Sequence, residues 1–590
     1  RIELEGSEII VYTKDKEFFL SHEDIIRGIV EKLKKRIEVR LESNLSLEKE
    51  AAIEKIKEIV PEEAGIKQIY FEPERSLVII AAQKPGLVIG KGGETFRKIK
   101  AETLWVPRIE RVPPIKSDII EGIRKVIHTQ VKFRKEFLNK VGEKIFTERK
   151  TNRDWIRVIG LGGCREVGRS CILVETPKSK VLIDCGVNVG GSNNNAFPYF
   201  QTKEFDYTEL DAIIVSHAHL DHIGCVPMLF EHGYDGPLYL TTPTMDLATL
   251  LWLDYIDVMQ RNAVNPIFTA KGVKEAVKRA IPLEYGEVSD VAPDVRLTFQ
   301  NAGHVLGSAL IHLHIGEGLH NIVYACDMKF GKTPLLDPAF TNFQRVETLI
   351  IESTYGGVND IMPPRREAEQ QLMDIVNKTM ERNGIVLIPS FAVERAQDVM
   401  AILVENEFQY PVFIDGMIWD ATGIYTAYPE YMSRSVQKKI FSGKDPFLSD
   451  IFKRVASPQD REKVLEQRPC VIISTSGMLV GGPALTYLQN LAEDSRNTLI
   501  FVGYQGEGTL GRRIQKGWKE IPFKTEEGKT FTLNLQMEVQ TVDGLSGHSD
   551  RNQLLSFVHR LASKPNKVIV VHGENHKTID LARSIHKLFR

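Results

Sequence analysis

Four candidate metal ligands fall within the six residues His217-Ala218-His219-Leu220-Asp221-His222, directly after the apolar run Ile213-Ile214-Val215. The run predicts a buried strand that stops at Ser216, where the chain turns. A chain leaving a strand in this way points His217 and His219 to one side and brings Asp221 and His222 round from another. Neutral imidazole nitrogens and carboxylate oxygens suit zinc, and two ions can share so dense a cluster. The chain has only fifteen histidines, so this grouping needs a physical reason beyond a polar loop.

Three more pieces add to it. Val181-Leu182-Ile183 predicts a buried strand with Asp184 at its end. Asp184 reads either as a turn cap or as a carboxylate that orients a metal-bound imidazole or water. In Asn301-Ala302-Gly303-His304-Val305-Leu306-Gly307-Ser308, the glycines let the backbone turn tightly and bring His304 inward. The strand Asn321–Ala325 runs on to Asp327, whose two oxygens can bridge two ions. His312 and His314 share one strand face and read as structural, and His232 and His320 read as solvent-facing residues in turns.

At 590 residues the chain is too long for one core and predicts three or four domains. The formal net charge of -2 means that a nucleic-acid surface must be a local patch. Cys164, Cys171, Cys185, Cys225, Cys326 and Cys470 form no CxxC pair, which argues against a zinc ribbon, gives no disulfide framework and favours a cytoplasmic protein. No apolar run is long enough to span a membrane.

Residues 1–65 read as a small α/β unit, with a strand at 8–12, helical periodicity over 23–39 and 46–60, and an alternating piece between the two. Residues 66–150 form a second unit with strands at 67–72 and 76–81. Its Gly90-Lys91-Gly92-Gly93 fits GxxG between helical stretches. A loop with so little bulk lets a sugar-phosphate backbone approach, Lys91 can meet a phosphate, and the next helix N-terminus favours anions. Ile89 and Ile99 are expected to line an apolar groove. The stretch resembles a KH domain. The first unit is expected to be a degenerate KH-like module, since it lacks GxxG. From Lys84 to Lys150 there are 17 Lys/Arg against 8 Asp/Glu, which fits either a solvated helix face or a phosphate-facing surface.

The histidine cluster, Asp184, the His304 loop and Asp327, in this order, resemble the metallo-β-lactamase superfamily. Beyond them, strand–loop–helix alternation suggests a second α/β domain over about 350–530. The chain then returns to histidine motifs at His548 and His572. With Glu352, these resemble the β-CASP nucleases, in which a cap domain is inserted into the lactamase-type domain; the histidine at 572 goes with RNA rather than DNA. The whole chain resembles the archaeal homologues of the cleavage and polyadenylation specificity factor nuclease.

The resemblance implies an α/β multidomain chain: a metallo-β-lactamase αββα sandwich (151–348 and 533–590), an inserted β-CASP domain (349–532) and N-terminal KH-like modules. It implies two zinc ions per chain. His217, His219 and His304 would hold one, Asp221, His222 and His572 the other, and Asp327 would bridge them. His548 would be the general acid, oriented by Glu352. The implied activity is endonucleolytic cleavage of single-stranded RNA, leaving 5′-phosphate and 3′-hydroxyl ends, in transcript 3′-end formation and transcription termination; whether 5′-to-3′ exonuclease activity accompanies it stays open. Ser390, Arg395, Ser476, Gly477, Arg512 and Arg513 are candidate phosphate contacts. A homodimer and association with the transcription machinery are also implied. The alternatives are a DNA repair nuclease, a small-molecule hydrolase of the same fold and a non-catalytic RNA-binding scaffold.

Overall fold

The computed structural model describes residues 1–151, 154–188, 191, 193–506, 508–524 and 530–589. At its centre two six-stranded sheets lie face to face. In the first, the strands run in the order Ala280–Pro282, Leu238–Leu240, Ala212–Ile214, Lys180–Ile183, Cys171–Glu175, Arg157–Gly162. In the second, the order is Val288–Ala292, Val295–Asn301, Ala309–Ile315, His320–Ala325, Thr348–Glu352, Lys567–Val571.

The period-2 alternation of strand side chains builds the layers. Val181, Ile183, Ala212 and Ile214 face the second sheet and meet Leu297, Phe299, Ile311 and Tyr324. Their neighbours Leu182, Ile213 and Val215 face outward onto helices that contribute Leu229, Leu247 and Trp252. On the outer face of the second sheet, Val323, Ala325, Leu349 and Ile351 meet Leu554, Phe557 and Leu581 from the C-terminal helices. The result is the expected αββα sandwich.

Register decides what arrives where. Ile183 pairs with Ile214, Ala325 with Ile351, and Glu352 with Val571, all in parallel ladders. Asp184, His217, Asp327, Glu352 and His572 therefore leave their strands at one pole. His320, expected in a turn, instead begins a strand and pairs with Thr348 Oγ1 at 2.9 Å. His312 and His314 are structural as expected: one faces the Arg345 carbonyl (3.1 Å) and the other Asn321 Oδ1 (2.7 Å).

The inserted domain is an open, all-parallel sheet in the order Phe452–Val455, Val412–Asp415, Cys470–Ser474, Ile385–Pro389, Thr498–Phe501, Glu538–Thr541. Its limits differ from the sequence reading. Thr348–Glu352 belongs to the lactamase-type sheet, and Glu538–Thr541, beyond residue 532, belongs to the cap sheet, because hydrogen-bond partners and not sequence breaks define a strand's sheet. The cap is docked by polar bonds, two of them buried. The Tyr428 hydroxyl donates to Asp246 (2.5 Å), the Tyr431 hydroxyl to Glu284 (2.5 Å), and the Leu306 N–H to the Tyr425 hydroxyl (3.4 Å).

The N-terminal region has two three-stranded sheets, one built from residues 2–41 and one from 66–111. The helix Lys49–Ile59 buries Ala52 and Ile56 in the core of the second module, so the boundary falls before this helix and not at residue 65. Helix Glu23–Leu33 also ends earlier than its periodicity suggested, because Lys34 takes the left-handed conformation at φ 53°.

The basic stretch after the GxxG loop serves neither solvent nor phosphate alone. Arg134 is buried and donates to the carbonyls of Lys278 (2.8 Å) and Ala280 (3.2 Å). Arg124 faces Glu110 (3.0 Å), Lys135 faces Glu3 (2.9 Å), and Arg149 faces Asp211 (2.7 Å). These contacts tie the connecting helices to the modules and to the sandwich. A buried network continues the tie: Arg40 forks onto Glu5 (2.7 and 3.0 Å), Arg75 reaches Glu5 (2.6 Å) and Glu72 (2.9 Å), and His128 reaches Glu72 (3.1 Å). Every charge in it has a partner, as burial demands.

Candidate metal centre

The ends of the strands Ala212–Ile214 and His320–Ala325, with the loop after Val295–Asn301, deliver the first group of ligands. His217 Nε2 lies 3.2 Å from His219 Nδ1, and His219 Nδ1 lies 3.1 Å from His304 Nε2. Asp327 Oδ2 is 3.4 Å from His217 Nε2 and 3.6 Å from His304 Nε2. A tetrahedral ion with bonds of about 2.0–2.1 Å needs its donor atoms roughly 3.3–3.4 Å apart. The donors are therefore spaced around a common point rather than paired with one another. Burial holds all three rings neutral: it pushes His219 down to about 3 and His217 and His304 well below the usual imidazole range. Lone pairs, not protons, then face the centre.

The second group is His222, His572, Asp327 and Asp221. His572 Nε2 is 3.2 Å from Asp327 Oδ1 and 3.6 Å from Asp221 Oδ2, and His222 Nε2 is 3.5 Å from Asp327 Oδ2. Asp327 thus faces both groups, which fits a bridging carboxylate. The donor set suits two borderline-soft divalent ions such as zinc. The Cys326 thiol also lies among the second group, 3.5 Å from Asp327 Oδ1, with burial pushing its pKa up. It was not singled out from sequence, because strand alternation alone does not show that it shares the pole.

Four of the five rings are held through the other nitrogen. His304 Nδ1–H donates to the Gly547 carbonyl at 2.9 Å, which leaves Nε2 as the lone-pair atom. His572 Nδ1 faces the Ser170 hydroxyl at 2.9 Å, and His217 Nδ1 faces that of Ser216 at 3.0 Å. Asp184 holds His222 Nδ1 at 2.7 Å and accepts from the Ser216 N–H (2.8 Å), the Ser216 hydroxyl (2.8 Å) and the Tyr324 hydroxyl (3.0 Å). Of the two readings of Asp184, these distances match the orienting carboxylate. Asp184, Asp327 and His572 all have positive φ, at 56°, 48° and 47°. A non-glycine residue held there carries backbone strain, and three such residues at one pole mark a functional site.

Beside the first group, His548 Nδ1 lies 2.9 Å from Glu352 Oε2, and Glu352 Oε1 accepts from the Met328 N–H at 2.6 Å. His548 Nε2 is 4.0 Å from Asp327 Oδ2. Burial alone lowers the imidazole pKa, but the carboxylates of Glu352 and Asp327 outweigh it and bring it up to about 9. The Lys329 ammonium, buried beneath, donates to the His548 carbonyl at 2.7 Å.

The proposed phosphate contacts separate. Ser390, at the end of strand Ile385–Pro389, is buried, and its hydroxyl has no hydrogen-bond partner among the described residues. The Ser476 hydroxyl accepts from the Val480 N–H at 3.1 Å, and the Gly477 carbonyl accepts from Gln505 at 2.7 Å. Arg512 faces Gln515 (3.4 Å), and Arg513 lies over the Trp518 ring (5.4 Å). Arg395 is placed otherwise than expected: its guanidinium is buried against Glu394 (2.6 Å) and Asp398 (2.8 Å). Glu394 has φ 74°, closed by an Arg395 N–H bond to the Val393 carbonyl (3.0 Å). A Cβ on Gly547 would lie 3.2 Å from both Arg395 Nη2 and Glu394 Oε2, so this pair backs the peptide that holds His304. Sequence gave no signal for Glu394, Lys329 or Ser170 in these roles.

In the second module, Gly90, Gly92 and Gly93 have φ of 75°, 60° and 79°, and Lys91 is exposed. A Cβ on Gly90 would strike Thr95 Oγ1 at 2.2 Å, so this glycine is required. Ile89 is 43% exposed beside the loop, as a groove residue should be, but Ile99 is in the module's core. Its position on helix Glu94–Thr103 turns it inward.

Family models match in five stretches: the KH domain of transcription termination factor FttA (1–45), a KH domain (51–103), a metallo-β-lactamase superfamily domain (173–354), a β-CASP domain (396–514) and a Zn-dependent metallo-hydrolase RNA specificity domain (532–589). Curated relatives match along the full chain. The transcription termination factors FttA of Methanothermobacter thermautotrophicus and Methanocaldococcus jannaschii are each 50% identical over 100% of this chain and 94% of their own. That of Lokiarchaeum is 44% identical over 100% of this chain and 94% of its own. Identity of that order, unbroken from the first KH sheet to the strand that returns His572, leaves one conclusion: the chain belongs to the FttA family, in which KH modules precede a metallo-β-lactamase domain interrupted by a β-CASP domain.

Proposed function

We infer that the chain is a zinc-dependent endoribonuclease that cuts single-stranded RNA and acts in transcript 3′-end formation and transcription termination. The observation that carries the reading is the pair of histidine–carboxylate groups sharing Asp327 beneath the cap sheet, with a GxxG loop on the same chain. The relatives' name, transcription termination factor, supplies the biological setting.

His217, His219, His304 and Asp327 would hold one zinc, and Asp221, His222, His572 and Asp327 the other. Bound zinc supplies Lewis-acid charge for the phosphate oxygens and lowers the pKa of water. The chain's own part is positioning and proton transfer. Asp184 keeps His222 in one tautomer. Glu352 takes the Nδ1 side of His548, so that Nε2–H is turned toward the cluster. From there His548 protonates the departing 3′ oxygen as the P–O3′ bond breaks, and the phosphorus takes its new oxygen from water. The products carry 5′-phosphate and 3′-hydroxyl. Gly90–Gly93 would grip the RNA backbone at a distance, while Ser390, Ser476, Gly477, Arg512 and Arg513 would meet phosphates near the cut. Arg395 would act through Gly547 and not on RNA. The proposal extends to a homodimer and to contact with the transcribing polymerase, the first checked by sedimentation at several concentrations and the second by release of RNA from stalled elongation complexes.

The deciding experiment incubates the zinc-loaded protein with end-labelled RNA and DNA of one sequence and maps the ends. Internal cuts in RNA with the stated termini are expected. Equal cutting of DNA, or cleavage leaving 2′,3′-cyclic ends, would overturn the reading.

A further inference from the structure

The twenty residues from Gly384 to Leu403 are all buried except one, and that one is the aromatic ring of Phe391, 36% exposed. A lone apolar ring kept at the surface of so buried a stretch asks for a reason. Two glycines border it. A Cβ on Gly477 would lie 2.9 Å from the Phe391 backbone nitrogen and 3.0 Å from the Ser390 carbonyl carbon, so the close approach of the two backbones requires this glycine; the same Cβ would lie 3.4 Å from the ring's Cδ2. A Cβ on Gly503 would stand in ordinary contact with the ring, 3.7 Å from Cε2 and 3.8 Å from Cδ2. Neither position carries a side chain that would cover the ring.

Phe391, Gly477 and Gly503 follow the neighbouring parallel strands Ile385–Pro389, Cys470–Ser474 and Thr498–Phe501. The crevice at the carboxyl ends of such strands, where the chain order reverses, is where open α/β sheets take ligands. Next to the ring is Ser390, 1% exposed, whose hydroxyl has no hydrogen-bond partner among the described residues. A buried hydroxyl without a partner awaits one from outside. An aromatic chain leads from here to the proton donor: Tyr504, after Gly503, meets Tyr355 edge-on at 6.5 Å, and Tyr355 lies 6.2 Å from His548.

We propose that Phe391 is a stacking platform for one base of the RNA, on the 5′ side of the cut, with Ser390 donating to the phosphate of that nucleotide. The inference rests on the ribonuclease reading and adds to it the group that sets which nucleotide is held. The side follows from His548, which protonates the 3′ oxygen of the upstream fragment and lies toward the platform. Stacking on a flat ring accepts any base, because every base has a π face, so the platform sets register more than sequence.

The test is single-turnover cleavage of an RNA with one cut site, in which an abasic residue replaces each nucleotide in turn. Wild type should lose roughly 5–100-fold in rate at one position 5′ of the cut. Phe391→Leu should lose a similar factor on unmodified RNA and nothing further with the abasic residue at that position. Phe391→Trp should restore both the rate and the abasic sensitivity. Zinc content and melting temperature, measured alongside, show whether each variant is folded. If the Leu variant and the abasic residue multiply their defects, or if a folded Leu variant cuts unmodified RNA as fast as wild type, the platform is overturned. Wild type that hydrolyses bis(4-nitrophenyl) phosphate but no RNA would overturn the ribonuclease reading itself.

Discussion

In the proposed scheme His548 is the residue on which the chemistry turns. It stands against Glu352, and the scheme fills both zinc sites without it, with His217, His219 and His304 facing one point and His222, His572 and Asp221 another. His548→Ala should keep both zinc ions, checked by elemental analysis, and still bind RNA. Cleavage should fall roughly 10²–10⁴-fold. The defect should shrink on a substrate whose 3′ bridging oxygen is replaced by sulfur, a leaving group that needs no proton. Loss of one zinc, or an equal defect on both substrates, would make His548 a ligand instead. Residue types at this scale were largely legible: imidazoles and carboxylates at short spacing announce a metal. The partners that fix each ring were not, because Gly547, Ser170 and Lys329 lie far along the chain from what they hold.

Among the elements, the GxxG turn is the one whose function is separable. Lys91 is exposed and a Cβ on Gly92 would meet nothing within 4 Å, so replacing both by Asp puts two negative charges where a phosphate would sit, with no clash and a local strain at Gly92, whose φ is 60°. The double variant should bind long single-stranded RNA more weakly, with a smaller salt dependence, and should shift its cut sites. Zinc content should not change. Binding and cut sites like those of wild type would leave the loop as a turn only. The connecting helices teach the opposite lesson about reading elements. Their Lys and Arg count fits a solvated face or a phosphate-facing one, yet Arg134, Arg124 and Arg149 are held by carbonyls and carboxylates of the protein. Charge is visible in sequence, but whether it meets solvent, phosphate or a carboxylate is a matter of packing.

At the scale of the whole molecule, the cap's hold on the sandwich is expected to weaken as pH rises. Burial raises Asp246 to about 7 from its ordinary 3.8, opposed in part by the Tyr428 hydroxyl. Folding therefore takes up a proton between those values. Stability from this group is complete below about pH 4 and is lost as pH rises through about 7, on the order of 3–4 kcal/mol in all. Asp246→Asn should flatten that part of the stability profile and raise the melting temperature at pH 8 more than at pH 5. An unchanged profile would show that Asp246 ionises freely. Metal enters the same balance. About two zinc ions per chain are expected by elemental analysis, and chelation should lower the melting temperature, because the ligands sit on strands from both sheets. Fewer than two ions in a fully active preparation would remove the two-ion scheme.

In the sequence, the candidate ligand types and their order are legible, because apolar runs ending in histidine or aspartate are local signals that need no partner to be read; the sandwich and its inserted cap follow from the family resemblance those motifs carry. The tertiary structure decided what depends on pairing. Hydrogen-bond register put Glu352 beside Val571 and so brought His572 to the same pole. Strand Glu538–Thr541 joined the cap sheet and not the sandwich, and helix Lys49–Ile59 joined the second KH module and not the first. Phe391 borders two glycines, 86 and 112 residues downstream, that carry no side chain to cover it. Such contacts are fixed by where distant backbones come to rest, and no local pattern of residues encodes them.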